Sequence, residues 1–288
     1  MDTIGKQELW SFVATSPTAS RVTSVQIRKG DGHKVASFVE LASKVAEIQY
    51  RNRDHVLLFR GQTGDYKNRL GHSTLKPTLF RPGTGGMLPD GGILMSRFEK
   101  LQRAEQILAA EYAAANLIDV GRLKRHRVVR WSILQHYEVC TTPLLDVTHS
   151  LRIAASFATH GATSEVFIFV VGVPNLSGGI TANDGAGLQT IRLSSVCPPS
   201  ALRPHIQEGY LLGEYPEMSA YAQKELYAHY EIDFGRRLVA KFRFNPKSFW
   251  RDDTFPLVSH EALYPTPDRD PLNKLAQTVA SHLLALPL

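Results

Sequence analysis

The sequence predicts an α+β fold in which a helical N-terminal half packs on one mixed or antiparallel β-sheet. Two observations lead to this prediction. Apolar residues with helical spacing are concentrated in the first half of the chain, and runs of β-branched and aromatic residues follow in the second half. Strands that follow helices as a group, instead of alternating with them, are typical of α+β domains. No Gly-x-Gly-x-x-Gly follows a predicted strand, so the fingerprint of a Rossmann dinucleotide site is absent.

Helices are predicted where apolar residues recur at intervals of three and four residues. The first begins near Val35 and has about four turns. The others are predicted over residues 98–115, 131–137, 150–157 and 271–286. Glu105 interrupts the apolar side of the long second helix, which places it at a contact between two helices. Ser150 is a suitable N-cap for the helix that follows it.

Strands are predicted where β-branched and aromatic residues cluster. The strongest candidate is Glu165–Val173, which we expect at the centre of the sheet. Further strands are predicted over residues 56–61, 190–193, 205–212 and 236–244, with a short one near 22–27. Residues 1–33 show little periodicity and are expected to form an irregular N-terminal segment before one domain over 34–288. The stretch from 61 to 92 has the Gly and Pro content of a long functional loop, and its residues 73–81 could line a cleft.

Composition narrows the class of protein. The chain has 288 residues, of which 43% are hydrophobic, as is ordinary for a globular protein. No apolar stretch approaches the roughly 20 residues that cross a bilayer, and the N-terminus lacks a signal-peptide hydrophobic region, so we expect a soluble cytoplasmic protein with no membrane contact. The two cysteines, Cys140 and Cys197, lack the spacing of a zinc site or a disulfide framework, and no metal is expected.

A net charge of +6 and a pI near 9.3 favour anionic partners, including nucleic acid or a dinucleotide. The densest basic run contains Arg122, Lys124, Arg125, His126, Arg127 and Arg130. It is either a solvated helix face or a surface that follows the phosphates of RNA or DNA. Trp131 is the only aromatic residue close by, which weakens a single-strand stacking role.

Three motifs occur in order along the chain: Phe59-Arg60-Gly61-Gln62, Gln135-His136-Tyr137, and Leu144-Leu145-Asp146 with Thr148. Together they resemble the FRG domain family, which is named for its Phe-Arg-Gly signature. The resemblance extends over roughly residues 35 to 285. Further matching positions are Ala154, Phe157, Ala158, Gln207, Gly209, Tyr210-Leu211-Leu212 and Leu263-Tyr264-Pro265. The chain departs from the family pattern at Glu138, where glycine is frequent, and around residues 140–143, where one residue is added.

FRG domains are in turn similar to the ADP-ribosyltransferase fold, and this similarity implies a cleft for NAD as substrate. Arg60 matches the basic residue of an early strand, and Asp146-Val147-Thr148 matches a Ser-Thr-Ser triplet. Gln207-Glu208-Gly209 matches a Gln-x-Glu motif, with Gly209 at the usual catalytic glutamate. The resemblance implies transfer of ADP-ribose to a macromolecule, with RNA or DNA as an acceptor, and a toxin or phage-defence setting with a neutralising protein partner.

The catalytic residues expected from this comparison are Arg60, His136 and Glu208. The residues expected to contact NAD are Arg60, Gly61, Gln62, Gln135, Tyr137, Asp146, Thr148, Phe157 and Gln207. An arginine binds phosphate through a planar pair of donors, and a histidine can carry a proton near neutral pH. Each role has a structural alternative: Arg60 could pair with Asp146, and Tyr137 could pack against the sheet.

The role of Glu208 depends on which face of its strand the side chain occupies. In a strand, neighbouring side chains point to opposite faces, so Glu208 faces away if Gln207 faces the cleft, unless a bulge at Gly209 turns it. Because Gly209 replaces the carboxylate, a second hypothesis is a non-catalytic module that binds a nucleotide or a protein partner. A third is hydrolysis of NAD without a macromolecular acceptor.

Overall fold

The computed structural model describes residues 4, 7–83, 86–225, 232–250 and 255–285. The strands are β1 (Glu8–Ser11), β2 (Ser20–Thr23), β3 (His33–Lys34), β4 (Val56–Gln62), β5 (Leu145–Thr148), β6 (Val166–Val173), β7 (Ile180–Asn183), β8 (Leu188–Arg192), β9 (Gly209–Glu214) and β10 (Leu238–Phe244).

The longer helices are α2 (Phe38–Arg51), α3 (Gly91–Ala114), α5 (Arg127–His136), α6 (Leu151–Thr159) and α12 (Pro271–Ala285). The shorter ones are α1 (Ser24–Lys29), α4 (Val120–Arg125), α7 (Leu193–Val196), α8 (Leu202–Ile206), α9 (Tyr221–Glu225), α10 (Pro246–Phe249) and α11 (His260–Leu263). Across the described ranges, each helix is too short or too polar to cross a lipid bilayer.

One sheet of eight strands forms the centre of the molecule, in the order β3-β10-β6-β4-β5-β9-β8-β7. Every neighbouring pair is antiparallel except β3 and β10, which are parallel. The predicted mixed sheet with packed helices is therefore confirmed. The N-terminal half is not a purely helical layer as expected, because it contains β1 to β4. β1 and β2 form a separate two-stranded sheet.

The core of the sheet is made by β6 and β10, which are buried along nearly their whole length. The valines and phenylalanines of β6 suit this place because β-branched and aromatic side chains pack well on a pleated surface. The predicted strand Glu165–Val173 is confirmed, beginning one residue later. Helix α6 packs on β4, while α3 packs against α5 and α12.

Three predictions of local structure were wrong. The short strand expected near 22–27 covers only the end of β2 and continues into α1, which begins at Ser24. The segment expected to be irregular, residues 1–33, contains β1, β2 and α1, and buries Leu9, Phe12 and Ile27 in the core. The strand expected over 205–212 begins only at Gly209, because α8 ends at Ile206 and Glu208 adopts a positive φ of 44°. The helix expected over 271–286 is present as α12, and Leu286 lies outside the described residues.

Candidate functional site

A cavity of about 370 Å³ opens where the ends of β4 and β5 meet the end of α5. This volume is at the small end of the range of ligand sites. Its lining combines three arginines, two carboxylates, one histidine and several aromatic rings. The lining residues are Phe59, Arg60, Gly61, Gln62, Thr63, Tyr66, Arg81, Gln135, His136, Glu138, Asp146, Val147, Thr148, Phe157, Arg203, Gln207, Gly209 and Tyr264.

Arg60 lies near the end of β4, half-buried in the cavity wall. Its Nη1 donates a hydrogen bond to the backbone carbonyl of Asp146, so the guanidinium and the Asp146-Val147-Thr148 strand share one cavity, as the sequence predicted. Burial, with a smaller contribution from the charge of Arg81, lowers the pKa of Arg60 to about 10. Arg60 therefore stays protonated at neutral pH and can bind an anion.

Asp146 places a carboxylate beside this arginine. Its Oδ2 accepts a hydrogen bond from Gln135 Nε2 at 2.7 Å, and its Oδ1 lies 3.5 Å from His136 Nδ1. Burial raises the pKa of Asp146, but the hydrogen bond from His136 and the charge of Arg60 outweigh it, so the pKa is lower than usual. Asp146 is therefore ionised at neutral pH, and 35% of its side chain remains exposed.

Gln135 is oriented by two threonines. The hydroxyls of Thr142 and Thr78 both donate to Gln135 Oε1, at 2.5 and 3.1 Å. Each hydroxyl also accepts a backbone N–H, from Leu144 and Thr142 respectively. The Thr142 proton therefore points at the amide oxygen, and the Thr78 proton lies between that oxygen and the more distant carbonyl of Thr142, at 3.4 Å. Because an amide has one oxygen and one NH₂ group, this arrangement directs Gln135 Nε2 at Asp146.

His136 is almost completely buried next to Asp146. Burial lowers the pKa of His136, although the hydrogen bond with Asp146 acts in the opposite direction. The imidazole is therefore neutral at physiological pH. Its Nδ1 faces a carboxylate, which accepts only, so the proton is assigned to Nδ1 and Nε2 is left as an acceptor.

Gly61 sets the distance between β4 and α6. A Cβ atom at this position would lie 1.8 Å from the backbone oxygen of Ala154 and 2.8 Å from the nitrogen of Ala158. No side chain can occupy that space, so only glycine lets the strand approach the helix. The Phe-Arg-Gly sequence therefore combines a ligand-facing arginine with a close backbone contact.

Two further arginines line the cavity. Arg81 belongs to residues 73–81, which the sequence predicts to line a cleft, and its Nε donates to the carbonyl of Lys76. Arg203 was not predicted. Its Nη2 donates to Glu138 at 2.8 Å, and its guanidinium lies 4.6 Å from the ring centre of Tyr264.

Aromatic rings form another part of the wall. Phe157 and Tyr264 make an edge-to-face contact with ring centres 5.9 Å apart. Tyr66 also lines the cavity and is exposed to solvent. Flat apolar rings of this kind can support a planar ligand group, such as a nucleobase.

Most of the residues predicted for the site line this one cavity. They are Arg60, Gly61, Gln62, Gln135, His136, Asp146, Thr148, Phe157 and Gln207. Thr148 and Gln207 also have structural bonds: the Thr148 hydroxyl donates to the carbonyl of Gln207, and Gln207 Nε2 donates to the carbonyl of Leu263.

Tyr137 and Glu208 were predicted for the site but lie outside its lining. Tyr137 is buried and donates a hydrogen bond to Asp270 at 2.9 Å. Glu208 occupies the turn before β9 and its side chain is exposed to solvent. The alternation expected for a strand does not apply to Glu208, because Gln207 and Glu208 precede the strand.

The basic run lies on α4 and α5, beside an open groove of about 490 Å³. The buried Glu105 accepts hydrogen bonds from Arg130 and Arg127 through one oxygen, and from Trp131 through the other. Glu105 thus lies at a helix–helix contact, as predicted. Arg122 donates to the carbonyl of Ser195. Within the described residues, Lys124 and Arg125 are the lysine and arginine of the run whose side chains are exposed to solvent and hold no other part of the fold in place.

Comparisons with known proteins give one result. The family model of the FRG domain matches residues 55–166, a range that contains β4, α5, β5 and α6. No curated protein and no solved structure gives a significant match. The matched range supplies Arg60, Gln135, His136 and Asp146 to the cavity, whereas Arg203 and Tyr264 come from outside it. Residues 55–166 of this chain therefore belong to the FRG domain family.

Proposed function

We propose that the cavity lined by Arg60, His136 and Asp146, which we call the FRG cavity, binds a phosphate-bearing nucleotide. We further propose that NAD is its natural ligand. The observation that supports this most strongly is the presence of Arg60, Arg81 and Arg203 around a single cavity of about 370 Å³. Arginine binds phosphate oxygens through paired, charge-assisted hydrogen bonds. Two carboxylates in the same lining, Asp146 and Glu138, only partly balance these charges.

The rest of the lining is consistent with a nucleotide. Phe157, Tyr264 and Tyr66 offer ring surfaces to a base or to nicotinamide. In this proposal, Arg60 binds the diphosphate, while Gln62 and Gln135 lie beside the reactive end of the ligand. A site of this kind has no need of a Rossmann glycine loop, because side-chain donors replace the backbone amides of such a loop.

A second candidate function is transfer of ADP-ribose from NAD, and Asp146 is the observation that favours it. In this reaction the bond between nicotinamide and its ribose breaks, nicotinamide leaves, and an acceptor oxygen bonds to the ribose carbon. An ionised carboxylate in the cavity would stabilise the positive charge that develops on the sugar. His136 Nε2 would accept the proton of the acceptor hydroxyl. Asp146 thus replaces Glu208, which is exposed outside the cavity.

The acceptor separates two versions of this reaction. If water is the acceptor, the protein is an NAD glycohydrolase. If RNA or DNA is the acceptor, Lys124 and Arg125 are exposed cations that could contact its phosphates. A toxin or phage-defence role with a neutralising partner is proposed together with this second candidate, because both loss of NAD and modification of RNA or DNA would harm a cell.

Calorimetric titration with NAD tests the binding proposal. We expect the natural sequence to bind NAD and Arg60→Ala to bind it at least about tenfold more weakly, the loss of one charge-assisted hydrogen-bonding group. Arg125→Ala is the control, because it removes an exposed arginine outside the cavity and should leave the affinity unchanged. Thermal unfolding verifies that both variants are folded.

No binding by the natural sequence, or equal affinity in a folded Arg60→Ala variant, would contradict the proposal. Release of nicotinamide from NAD, measured in the same samples with and without RNA, DNA and protein acceptors, tests the second candidate. Binding without any release of nicotinamide would leave a non-catalytic nucleotide-binding module.

A further inference from the structure

Unpaired polar atoms are concentrated at the cavity. Among the described residues, nine buried side-chain nitrogen or oxygen atoms have no hydrogen-bond partner. Four of the nine belong to side chains that line this one cavity: Arg60 Nε, Gln62 Oε1, His136 Nε2 and Arg203 Nε. A buried polar atom without a partner is unfavourable, so such a concentration is typical of a site whose partners come from a ligand.

The four atoms differ in what they require. The two arginine nitrogens are donors and need acceptors, which phosphate oxygens supply. Gln62 Oε1 is an acceptor, and His136 Nε2 is one as well, because the proton of His136 lies on Nδ1 beside Asp146. The ionised Asp146, with 35% of its side chain exposed, adds further acceptor capacity. These three acceptors need a ligand that carries hydrogen-bond donors.

We infer that the ligand is a sugar phosphate, and that Asp146 and His136 accept hydrogen bonds from its sugar hydroxyls. This inference rests on the proposed function and specifies which part of the nucleotide the acidic side of the cavity recognises. Inorganic phosphate and pyrophosphate would satisfy the arginines but would leave Asp146, His136 and Gln62 without donors. The exposed Asp146 carboxylate matches two neighbouring hydroxyls, such as the diol of a ribose. His136 Nε2 lies on the side of the imidazole away from Asp146, so it would accept from a separate hydroxyl.

The hydrogen bonds from Thr78 and Thr142 to Gln135, and from Gln135 to Asp146, make this recognition specific. It holds Gln135 Nε2 against Asp146 Oδ2 and leaves Oδ1 beside His136 Nδ1. In Asp146→Asn the side-chain oxygen must still accept from Gln135, so the new NH₂ group faces His136 Nδ1. The proton of His136 then moves to Nε2, which changes from an acceptor into a donor, and the substituted side chain itself offers one acceptor fewer.

Asp146→Asn therefore affects two kinds of ligand in opposite directions. We expect the affinity for ADP-ribose and for ribose 5-phosphate to fall at least about tenfold, the effect of losing a hydrogen bond to a charged acceptor. The affinity for inorganic pyrophosphate should stay the same or increase, because a negative charge has left the cavity. Retained pyrophosphate binding also shows that the variant is folded.

Glu138→Gln is the charge-matched control. It removes a carboxylate from the same cavity, but that carboxylate is exposed and pairs with Arg203. We expect Glu138→Gln to change the affinities for all three probes in the same direction. Titrations of the natural protein and both variants use ADP-ribose, ribose 5-phosphate and pyrophosphate at one ionic strength.

Two results would overturn the inference. One is an equal change in the affinities for pyrophosphate and the sugar phosphates in Asp146→Asn. The other is weaker binding of ADP-ribose with unchanged binding of ribose 5-phosphate, which would make the amino group of the base the donor. If the natural protein binds none of the three probes, the proposed function itself fails.

Discussion

At Gly61 the absence of a side chain determines how closely β4 and α6 approach each other. The space that a Cβ atom would need is occupied by the backbone oxygen of Ala154 at 1.8 Å. The neighbouring residue in sequence, Arg60, donates to the backbone of Asp146 across the cavity. A shift of the strand would therefore also move the arginine.

Gly61→Ala should destabilise the protein by about 3 kcal/mol or more, the upper end of the range for overpacked sites, because backbone atoms cannot rotate away. Chemical denaturation measures the change. Gly64→Ala is the control, since its Cβ would lie 3.9 Å from the nearest atom, in the ring of Tyr66. Equal stabilities for the two variants would contradict this role of Gly61.

The site residues that sequence reasoning found are those in short, recognisable motifs. Arg60, His136 and Asp146 lie in three such motifs, and the cavity contains all of them. Arg203 was missed because it occupies a short helix beside a proline, with no periodicity that marks it. Its place in the cavity depends on contacts with Glu138 and Tyr264, which are both distant from it in the sequence, and no local pattern encodes such contacts.

Among the helices, the contact between α3 and α5 depends on one buried carboxylate. Glu105 accepts hydrogen bonds from the indole nitrogen of Trp131 at 2.7 Å and from Arg130 Nε at 2.9 Å. Trp131 is almost completely buried, so its N–H group has no access to water if the carboxylate is removed. Two arginines of the basic run are thereby used to hold helices together.

Glu105→Ala should lower the free energy of unfolding by about 3–5 kcal/mol, the cost of leaving a buried hydrogen-bonded charge network without its acceptor. Urea denaturation measures the change. Glu99→Ala, at an exposed position of the same helix, should have little effect. A loss below about 0.5 kcal/mol in Glu105→Ala, the scale of ordinary surface substitutions, would refute this role.

The elements with long periodic patterns were predicted well, and those shaped by tertiary contacts were not. Helix α2 and strand β6 follow directly from their apolar spacing. β1 was missed and β2 was predicted only at its end, because each strand has only four residues and is stabilised by packing on the core. The strand predicted from 205 was wrong because a turn with a positive φ at Glu208 separates α8 from β9.

At the scale of the whole molecule, three buried or half-buried histidines make stability depend on pH. Burial is the main cause that lowers the pKa of His33, His55 and His136 in the folded protein. In the unfolded chain, histidine has a pKa of about 6.5. As the pH falls below that value, the unfolded chain binds protons first, so the free energy of unfolding decreases.

Asp146 affects the stability of the protein at lower pH than the histidines do. Burial raises its pKa, but the hydrogen bond from His136 and the charge of Arg60 outweigh burial, and the pKa in the folded protein is below the ordinary value. The stabilisation that results is present above about pH 3.9, the value in the unfolded chain, and is lost as the pH falls through the folded pKa. Loss of stability between about pH 7 and 5 is thus expected from the histidines and not from Asp146.

Urea unfolding between about pH 7.5 and 5.5 measures this dependence. We expect stability to decrease towards pH 5.5, and the decrease to be smaller in His55→Gln, which removes one half-buried imidazole. His205→Gln is the control, because His205 is exposed and should leave the slope unchanged. Constant stability of the natural protein over this range would contradict the expectation.

The most direct test of the account is a crystal structure of the protein with ADP-ribose. We predict density in the FRG cavity, with the diphosphate in contact with Arg60 and Arg203 and a ribose hydroxyl within hydrogen-bonding distance of Asp146. Density for the ligand in the open groove of α3, α4 and α5, with the FRG cavity unchanged, would contradict it.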